Sequence, residues 1–121
     1  MSTDLHKALV FALVGLMLVP AGASATEGFS TGKDLQKWCQ DMNTDDTAWG
    51  LCVGSITAVH DTIMTYQNTG TVKVVVCPPA QSTREDTLKA VLAYMEEEPE
   101  DLIYSLGDFV FAALAGKWPC R

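Results

Sequence analysis

The stretch of sequence that decides the fold class is WGLCVGSITAVHDTIMTY, residues 49–66. Its apolar side chains recur at steps of three and four residues, which gives one apolar helical face about five turns long. We expect Asp46 to cap the start of this helix, and Asn68-Thr69-Gly70 to end it, because Asn and Gly favour helix termination. The sequence therefore predicts one long central helix, whose apolar face carries Trp49, Cys52, Val53, Ile56, Val59, His60, Ile63 and Tyr66.

One helix is predicted before this stretch and two are predicted after it. Thr31-Gly32-Lys33-Asp34 is a start signal for the first helix, and Ser82-Thr83-Arg84-Glu85 is a capping box for the third. The fourth helix is expected to begin at Pro99, since proline suits the first helical position, and to end at Gly116. The apolar faces of these helices are expected to consist of Leu35, Trp38, Cys39 and Met42, then Leu88, Val91, Leu92 and Met95, then Leu102, Ile103, Leu106, Phe109, Val110, Ala113 and Leu114.

A short run of mostly β-branched residues, VKVVV at 72–76, separates the second and third helices. Valine favours extended backbone, but the sequence offers no second strand-like run that could pair with this one. We therefore expect an extended connector that leads into Cys77-Pro78-Pro79. The predicted fold class is all-α: a compact bundle of four helices with one short extended connector and two disulfides.

The first 25 residues have the three parts of a cleavable signal peptide. A short head carries one basic side chain, an apolar run of 12 residues follows, and Ala23-Ser24-Ala25 is a small-x-small site that signal peptidase accepts. The apolar run is shorter than the ~20 residues that span a hydrocarbon core. We expect residues 1–25 to be a signal peptide cleaved after Ala25, and residues 26–121 to be one exported domain without membrane attachment. An uncleaved N-terminal anchor is the alternative.

The four cysteines indicate a covalent framework in the exported domain. An even number of cysteines in an exported chain is best explained by disulfides. The chain has no C-x-x-C pair, and only one histidine follows residue 25, so we predict neither a metal site nor a cofactor. The positions of the cysteines in the predicted helices favour the pairs Cys39–Cys52 and Cys77–Cys120, and the two other pairings remain possible.

The charge of the chain narrows the classes of partner. Asp and Glu number 15 against 8 Lys and Arg, a formal net charge of −7 at pH 7. Removal of residues 1–25 takes away one acid and one base, so the net charge does not change. An acidic surface repels phosphate groups, which argues against nucleic acid and anionic lipid as partners. A basic protein partner fits this charge, although solubility alone would also explain it.

Little in the sequence indicates catalysis. Neighbouring residues such as His60 and Asp61 point about 100° apart on a helix and are not expected to face each other. Ser55 and Ser105 lack a glycine-rich turn that would present a nucleophile, and disulfide-bonded cysteines offer no thiolate. We therefore expect His60 to be partly buried and the protein not to be an enzyme. A pH-responsive or catalytic histidine is the alternative.

An acidic cluster marks the turn between the third and fourth predicted helices, and it consists of Glu96, Glu97, Glu98, Glu100 and Asp101. One interpretation is a solvated turn whose charges favour the positive end of a helix dipole. The other is a protruding partner-binding surface that enters a basic or polar cleft. Phe111 departs from the apolar stripe of the last helix, and it belongs either to a dimer surface or to the incidentally exposed aromatic residues.

Five segments together resemble the Rap/Tai family of periplasmic immunity proteins, which act against peptidoglycan amidases secreted by type VI systems. The resemblance covers essentially the whole chain after the signal peptide. Ser55 stands where the family usually has an aromatic residue, and Trp118 where Phe is more common, which leaves open the effector that is neutralised. The segments are GFSTGKDLQKWCQD (28–41), WGLCVGSITAVHDTI (49–63), Cys77-Pro78-Pro79, Ser82-Thr83-Arg84 and the ending from Ala112-Ala113-Leu114 to Trp118-Pro119-Cys120.

The resemblance implies that residues 26–121 form a helical immunity-type domain in the periplasm. It also implies that this domain binds and blocks a cognate cell-wall amidase and forms a homodimer through an apolar helix face. The acidic cluster would then steer the protein towards a basic effector. The main alternative is a periplasmic helical chaperone or stress-response binding protein, and a small hydrolase that depends on His60 is a further one.

Overall fold

A computed structural model describes residues 29–121, and the predicted signal peptide at residues 1–25 lies outside the described residues. The described part is all-α with isolated bridges in place of strands, which confirms the predicted fold class. No helix in this part is long and apolar enough to cross a membrane. The elements are α1 (Gly32–Asp41), α2 (Asp46–Asn68), α3 (Arg84–Glu97), a 3₁₀ helix (Pro99–Ile103) and α4 (Leu106–Lys117).

Side-chain caps begin the first two helices. The Asp34 carboxylate accepts the backbone N–H of Thr31 at 2.7 Å, so the predicted start of α1 is confirmed. The cap of α2 was predicted one residue too late. Asp45 has extended backbone and accepts the N–H of Ala48 at 3.0 Å, whereas Asp46 is already the first helical residue. The carboxylate of Asp46 still lies in the first turn, where the helix dipole favours a negative charge.

The third helix also begins one residue later than the predicted capping box. Thr83 is the cap, and its backbone N–H donates to Asp86 at 2.8 Å. The prediction assigned these roles to Ser82 and Glu85. The Ser82 hydroxyl instead donates to the carbonyl of Pro79 at 2.6 Å, in the turn that precedes the helix. Because that turn occupies the Ser82 side chain, the capping role moves to the adjacent threonine.

The fourth helix was wrongly predicted to begin at Pro99. The chain forms a 3₁₀ helix from Pro99 to Ile103, becomes extended at Tyr104, and starts α4 only after the cap Ser105. The physical reason is a short antiparallel pairing of this extended segment with the chain before α1. The N–H of Leu106 donates to Ser30 O at 2.8 Å, and this pairing keeps residues 104 and 105 extended, so the helix begins only at Leu106.

Close approach of the backbone explains one glycine of this pairing. Gly32 donates its N–H to Tyr104 O at 3.0 Å. A Cβ built on Gly32 would lie 2.9 Å from the Cα of Leu102 and 3.1 Å from the ring of Phe109. Only glycine therefore lets the start of α1 pack directly on the 3₁₀ helix.

The core lies where the four helices and the 3₁₀ helix meet. Helices α1 and α2 form a hairpin, and α4 contacts α1, α2 and α3. Of the predicted apolar face of α2, only Cys52, Val53 and Ile56 are buried, and Trp49 and Tyr66 at its two ends are each 49 % exposed. The buried apolar residues that form the core cluster are Leu35, Cys39, Cys52, Ile56, Val76, Ala90, Val91, Met95, Leu102, Phe109, Val110, Ala113 and Leu114.

Both predicted disulfides are confirmed. Cys39–Cys52 closes the α1–α2 hairpin, and Cys77–Cys120 ties the connector to the C-terminal tail. The two bonds differ in exposure: Cys39 and Cys52 are 6 % and 0 % exposed, whereas Cys77 is exposed and Cys120 half-buried. One disulfide therefore lies inside the core and the other at the surface.

The extended connector does have pairing partners, contrary to the expectation that it would be unpaired. Val76 bridges to Pro119 in the tail, and the N–H of Cys77 donates to the carbonyl of Trp118 at 2.8 Å. The side chain of Gln67, which is 5 % exposed, takes the place of a neighbouring strand. Its Oε1 accepts the N–H groups of Val75 and Val76 at 2.9 Å each, and its Nε2 donates to Val76 O at 2.8 Å.

Candidate functional site

The acidic cluster lies at the surface where α3 ends and the 3₁₀ helix begins. Glu96 and Glu97 occupy the last turn of α3, Glu98 caps it, and Glu100 and Asp101 follow in the 3₁₀ helix. Glu96, Glu97 and Glu100 are exposed, while Glu98 and Asp101 are half-buried. The first three carboxylates lie at the negative end of the α3 dipole, which disfavours their charge. The structure therefore places several negative charges where the dipole of α3 destabilises them.

Repulsion within the cluster is visible at Glu98. The neighbouring Glu100 carboxylate raises the pKa of the Glu98 carboxyl above its usual value, because it is able to accept a hydrogen bond from the protonated form and its negative charge disfavours ionisation. Burial and the charges of Asp101 and Glu97 act in the same direction. The cluster thus carries an excess of negative charge that its own residues do not neutralise, and a basic group of a partner would relieve this repulsion.

A tyrosine anchors the cluster to the core. The Tyr94 hydroxyl donates a hydrogen bond to Asp101 Oδ2 across the α3–3₁₀ turn. This bond to a carboxylate, together with burial, raises the pKa of Tyr94 to about 12. The ring of Tyr94 packs edge-on against buried Phe109, with ring centroids 5.2 Å apart. The turn that carries the acidic cluster is therefore fixed relative to α4.

A groove of about 750 Å³ runs from the acidic cluster along α3 and the C-terminal half of α4. We call it the α3–α4 groove. Small residues form its base, Tyr94 and Trp118 contribute aromatic side chains, and the turn after the connector closes one end. Glu97 and Glu98 stand at one end, and Asp86, Lys89 and Lys117 stand at the other. The residues that line it are Pro79, Gln81, Ser82, Asp86, Lys89, Ala90, Ala93, Tyr94, Glu97, Glu98, Ala113, Gly116, Lys117 and Trp118.

The second site of interest surrounds His60, whose side chain is 26 % exposed, as the expectation of partial burial requires. The prediction that His60 and Asp61 do not face each other was wrong: His60 Nδ1 lies 2.9 Å from Asp61 Oδ1. Both residues line a cavity of about 160 Å³ beside the start of α3.

This cavity does not assemble a catalytic triad. Ser82 also lines it, but the Ser82 hydroxyl is already donated to Pro79 O. The neighbouring carboxylate, Asp61, is 69 % exposed, so it does not hold His60 in a dry, preorganised site. Among residues 29–121, no group of three His, Cys, Asp or Glu side chains is placed to hold a metal ion.

Sequence reasoning found the acidic cluster but missed the groove next to it. Lys89 and Lys117 are 28 residues apart in sequence, and only the packing of α3 against α4 brings both to one groove. Trp118 was noticed as part of the closing motif and not as a groove residue. The sequence did contain one indication of the groove, which is a pair of small residues on each of the two helices. Small residues leave space between packed helices. These residues are Ala90 and Ala93 on α3, and Ala113 and Gly116 on α4.

The fold and surface define a small disulfide-bonded helical protein whose notable surface features suit binding of another protein. A family described as Rap1a immunity proteins matches residues 31–120 of the chain. The chain belongs to this family, whose members are in general exported binding proteins for a secreted effector and not catalysts. No curated protein and no solved structure matches the chain. The resemblance found in the sequence is thus confirmed at the level of the family.

Proposed function

We propose that this protein is a periplasmic immunity protein that binds and blocks a peptidoglycan amidase delivered by a type VI secretion system. Membership of the immunity family supports the coarser part of this proposal. An inhibitor of a cell-wall enzyme needs a rigid surface that survives in an oxidising compartment. Two disulfides and the anchored α3–3₁₀ turn meet that requirement.

The proposed route to the periplasm is the signal peptide at residues 1–25, cleaved after Ala25. The mature domain is then residues 26–121, and it acts where the amidase meets its substrate. Mass spectrometry of the protein recovered from the periplasmic fraction tests this step. A mature N-terminus at Thr26 is the expected result, and recovery of the intact chain from the cytoplasm would contradict it.

The acidic cluster carries the proposal of how the amidase is bound. Three of its five carboxylates are exposed, and the Tyr94–Asp101 bond holds the turn in one geometry. A preorganised cluster loses little entropy on binding, and its charge accelerates encounter with a basic cleft. We therefore assign contacts with the amidase to Glu96, Glu97, Glu98, Glu100 and Asp101.

The test is inhibition of a purified type VI peptidoglycan amidase, measured by release of cleaved peptidoglycan fragments. Stoichiometric inhibition with a Kd in the nanomolar range is the expected result. Reversal of Glu97 and Glu100 to Lys is expected to weaken binding by more than ~10-fold. Asp41→Lys is the matched control, because it makes the same kind of charge change at the exposed end of α1.

The outcomes separate the alternatives. If both charge reversals leave the affinity unchanged, the acidic cluster is not the contact, although inhibition by the wild-type protein would still stand. If the wild-type protein ignores the amidase and suppresses aggregation of many denatured proteins at low pH, the chaperone function replaces this proposal. Turnover of a substrate that is lost in His60→Ala alone would favour a hydrolase.

A homodimer through α2 is the second part of the proposal. Gly50, Gly54 and Ala58 form an exposed line of small residues, and a Cβ on either glycine would meet nothing within 4 Å. A two-fold axis near Ala58 would place the half-exposed ring of Tyr66 against Gly50 of the second copy. Sedimentation should give a dimer for the wild type and for Gln40→Arg, and a monomer for Ala58→Arg. A wild-type monomer would refute this part.

A further inference from the structure

We propose that the α3–α4 groove holds an extended segment of the effector about five residues long, with a basic side chain at one end and an acidic side chain at the other. The inference rests on the proposed immunity function and adds to it a second contact surface beside the acidic cluster. The juxtaposition that carries it is an open groove with a base of small residues, aromatic side chains, two glutamates at one end and Lys117, which has no ion-pair partner among the described residues, at the other.

The base of the groove allows a polypeptide backbone to come close. Ala90 and Ala113 are buried at its bottom, with 6 % and 2 % of their surface exposed, and Ala93 is exposed at its edge. A Cβ on Gly116 would meet nothing within 4 Å, so the groove is open there as well. Small residues make room for a bound chain, and the volume of about 750 Å³ lies in the range typical of ligand clefts.

The wall formed by the tail is fixed in place before any partner binds. The N–H of Trp118 donates to Leu114 O at 2.9 Å, and the carbonyl of Trp118 accepts the N–H of Cys77 at 2.8 Å. The disulfide Cys77–Cys120 closes the same junction two residues further on. Because the wall is preorganised, a docking segment does not have to order it, and little binding free energy is lost.

The length of the groove sets the length of the segment. The lining residues of α3 extend from Asp86 to Glu97, which is about 16 Å at the rise of an α-helix. An extended chain covers this distance with about five residues. A segment of this size is too short to be a helix with a stable fold of its own, so an exposed loop or terminus of the effector is the form that fits.

The charges set the direction and the end groups of the segment. Glu97 and Glu98 stand at one end, where no cation of the described residues pairs with them. Asp86, Lys89 and Lys117 stand at the other end. Asp86 accepts hydrogen bonds from Thr83, which lower the pKa of its carboxyl, and Lys89 is held by Glu85 at 3.0 Å. Lys117 forms no ion pair with a described residue, although its charge also contributes to the lowered pKa of Asp86. A basic side chain is therefore matched to the glutamates, and a carboxylate to Lys117.

Ala93→Arg is the variant that tests the groove. The new side chain starts from an exposed position, so it fills the groove without entering the core. Binding to the purified amidase that the wild type inhibits is expected to weaken by about 30-fold or more, the effect of removing a central contact. Gln40→Arg adds the same side chain to an exposed position of α1 and is expected to bind like the wild type. Circular dichroism and thermal unfolding confirm that both variants are folded.

Lys117→Glu decides the question even if Ala93→Arg fails to fold. Contact through the acidic cluster alone predicts equal or tighter binding for this variant, because the protein becomes more acidic. The groove predicts binding about 10-fold weaker, because the carboxylate of the segment loses its cation. The two hypotheses, contact through the groove and contact through the acidic cluster alone, therefore predict changes in affinity of opposite sign.

The remaining outcomes overturn the inference in distinguishable ways. If the wild type inhibits the amidase and folded Ala93→Arg inhibits equally well, the groove is not a contact, although the immunity function stands. If the wild type does not bind the amidase, both proposals fail together. If Ala93→Arg changes only the sedimentation of the protein and not its inhibition, a second copy of this chain occupies the groove.

Discussion

The two disulfide-bonded regions of this protein are stabilised in opposite ways. The α1–α2 hairpin buries Cys39 and Cys52 among apolar side chains, so its disulfide reinforces contacts that packing already makes. The junction of connector and tail contributes one fully buried apolar residue, Val76, and depends on the exposed Cys77–Cys120 bond and on one glutamine. The comparison teaches that the groove wall is held by a few specific bonds, whereas the hairpin is held by its core.

Loss of the exposed disulfide should have the largest effect. Cys77→Ser with Cys120→Ser releases a loop of about 44 residues, which chain entropy values at up to about 4 kcal/mol of the free energy of unfolding. Chemical denaturation measures this loss. In the native protein, mild dithiothreitol should reduce Cys77–Cys120 before Cys39–Cys52, as followed by alkylation and mass spectrometry. Equal reduction rates for the two bonds would refute the contrast between surface and core.

Removal of the glutamine bonds should have the next largest effect. Gln67→Met keeps the length of the side chain but leaves the N–H groups of Val75 and Val76 and the Val76 carbonyl without partners. At about 1 kcal/mol for each lost bond, the expected loss is about 3 kcal/mol by urea denaturation. Gln40→Met on the surface of α1 is the control and should change stability by less than about 0.5 kcal/mol. A similar result for both variants would mean that the connector is held by other forces.

A methyl group at Gly32 tests the region that is held by close packing, where α1 contacts the 3₁₀ helix. Gly32→Ala places a Cβ against the backbone of Leu102 and should cost about 2 kcal/mol, because neither backbone can move freely. Gly107→Ala, in the first turn of α4, meets open space and should stabilise the protein by about 0.5 kcal/mol. Thermal unfolding compares the two. If Gly32→Ala were neutral, the close approach of α1 to the 3₁₀ helix would be wrong.

The smallest expected effect concerns the anchor of the acidic cluster. Tyr94→Phe removes the bond to Asp101 and should cost about 1 kcal/mol, with Tyr104→Phe as the exposed control. Because the pKa of Tyr94 is raised to about 12 in the folded protein, its contribution is complete below the ordinary pKa near 10. It is lost as pH rises towards 12. A stability difference between wild type and Tyr94→Phe that stays constant from pH 9 to about pH 12 would contradict this linkage.

A similar contrast, between local signals and interactions of distant parts of the chain, explains which features could be predicted from the sequence. Helical periodicity and cysteine placement are local signals, so the four helices, the start of α1 and both disulfides were predicted correctly. The start of α4 was not, because the extended backbone at residues 104 and 105 depends on pairing with residues 30–32, more than 70 positions away in the chain. Gln67 carried no signal, since a glutamine near the end of a helix reads as a surface residue until the connector folds over it.

The candidate site also has one part that local sequence predicts and another that depends on tertiary structure. The acidic cluster is contiguous in sequence and was found from it, whereas its anchor at Tyr94 and the groove that begins at Glu97 required tertiary structure. Lys117 and Trp118 belong to this surface only because α4 packs against α3. The central claim of the functional proposal is that the effector contacts this surface.

Hydrogen–deuterium exchange of the full mature domain, with and without the purified amidase, tests this claim most directly. The amides of the last turns of α3, of the 3₁₀ helix, and of residues 116–118 should exchange more slowly in the complex. The α1–α2 loop at residues 42–45 serves as the internal reference and should exchange at an unchanged rate. Protection confined to the α1–α2 hairpin, or no protection anywhere, would contradict the account.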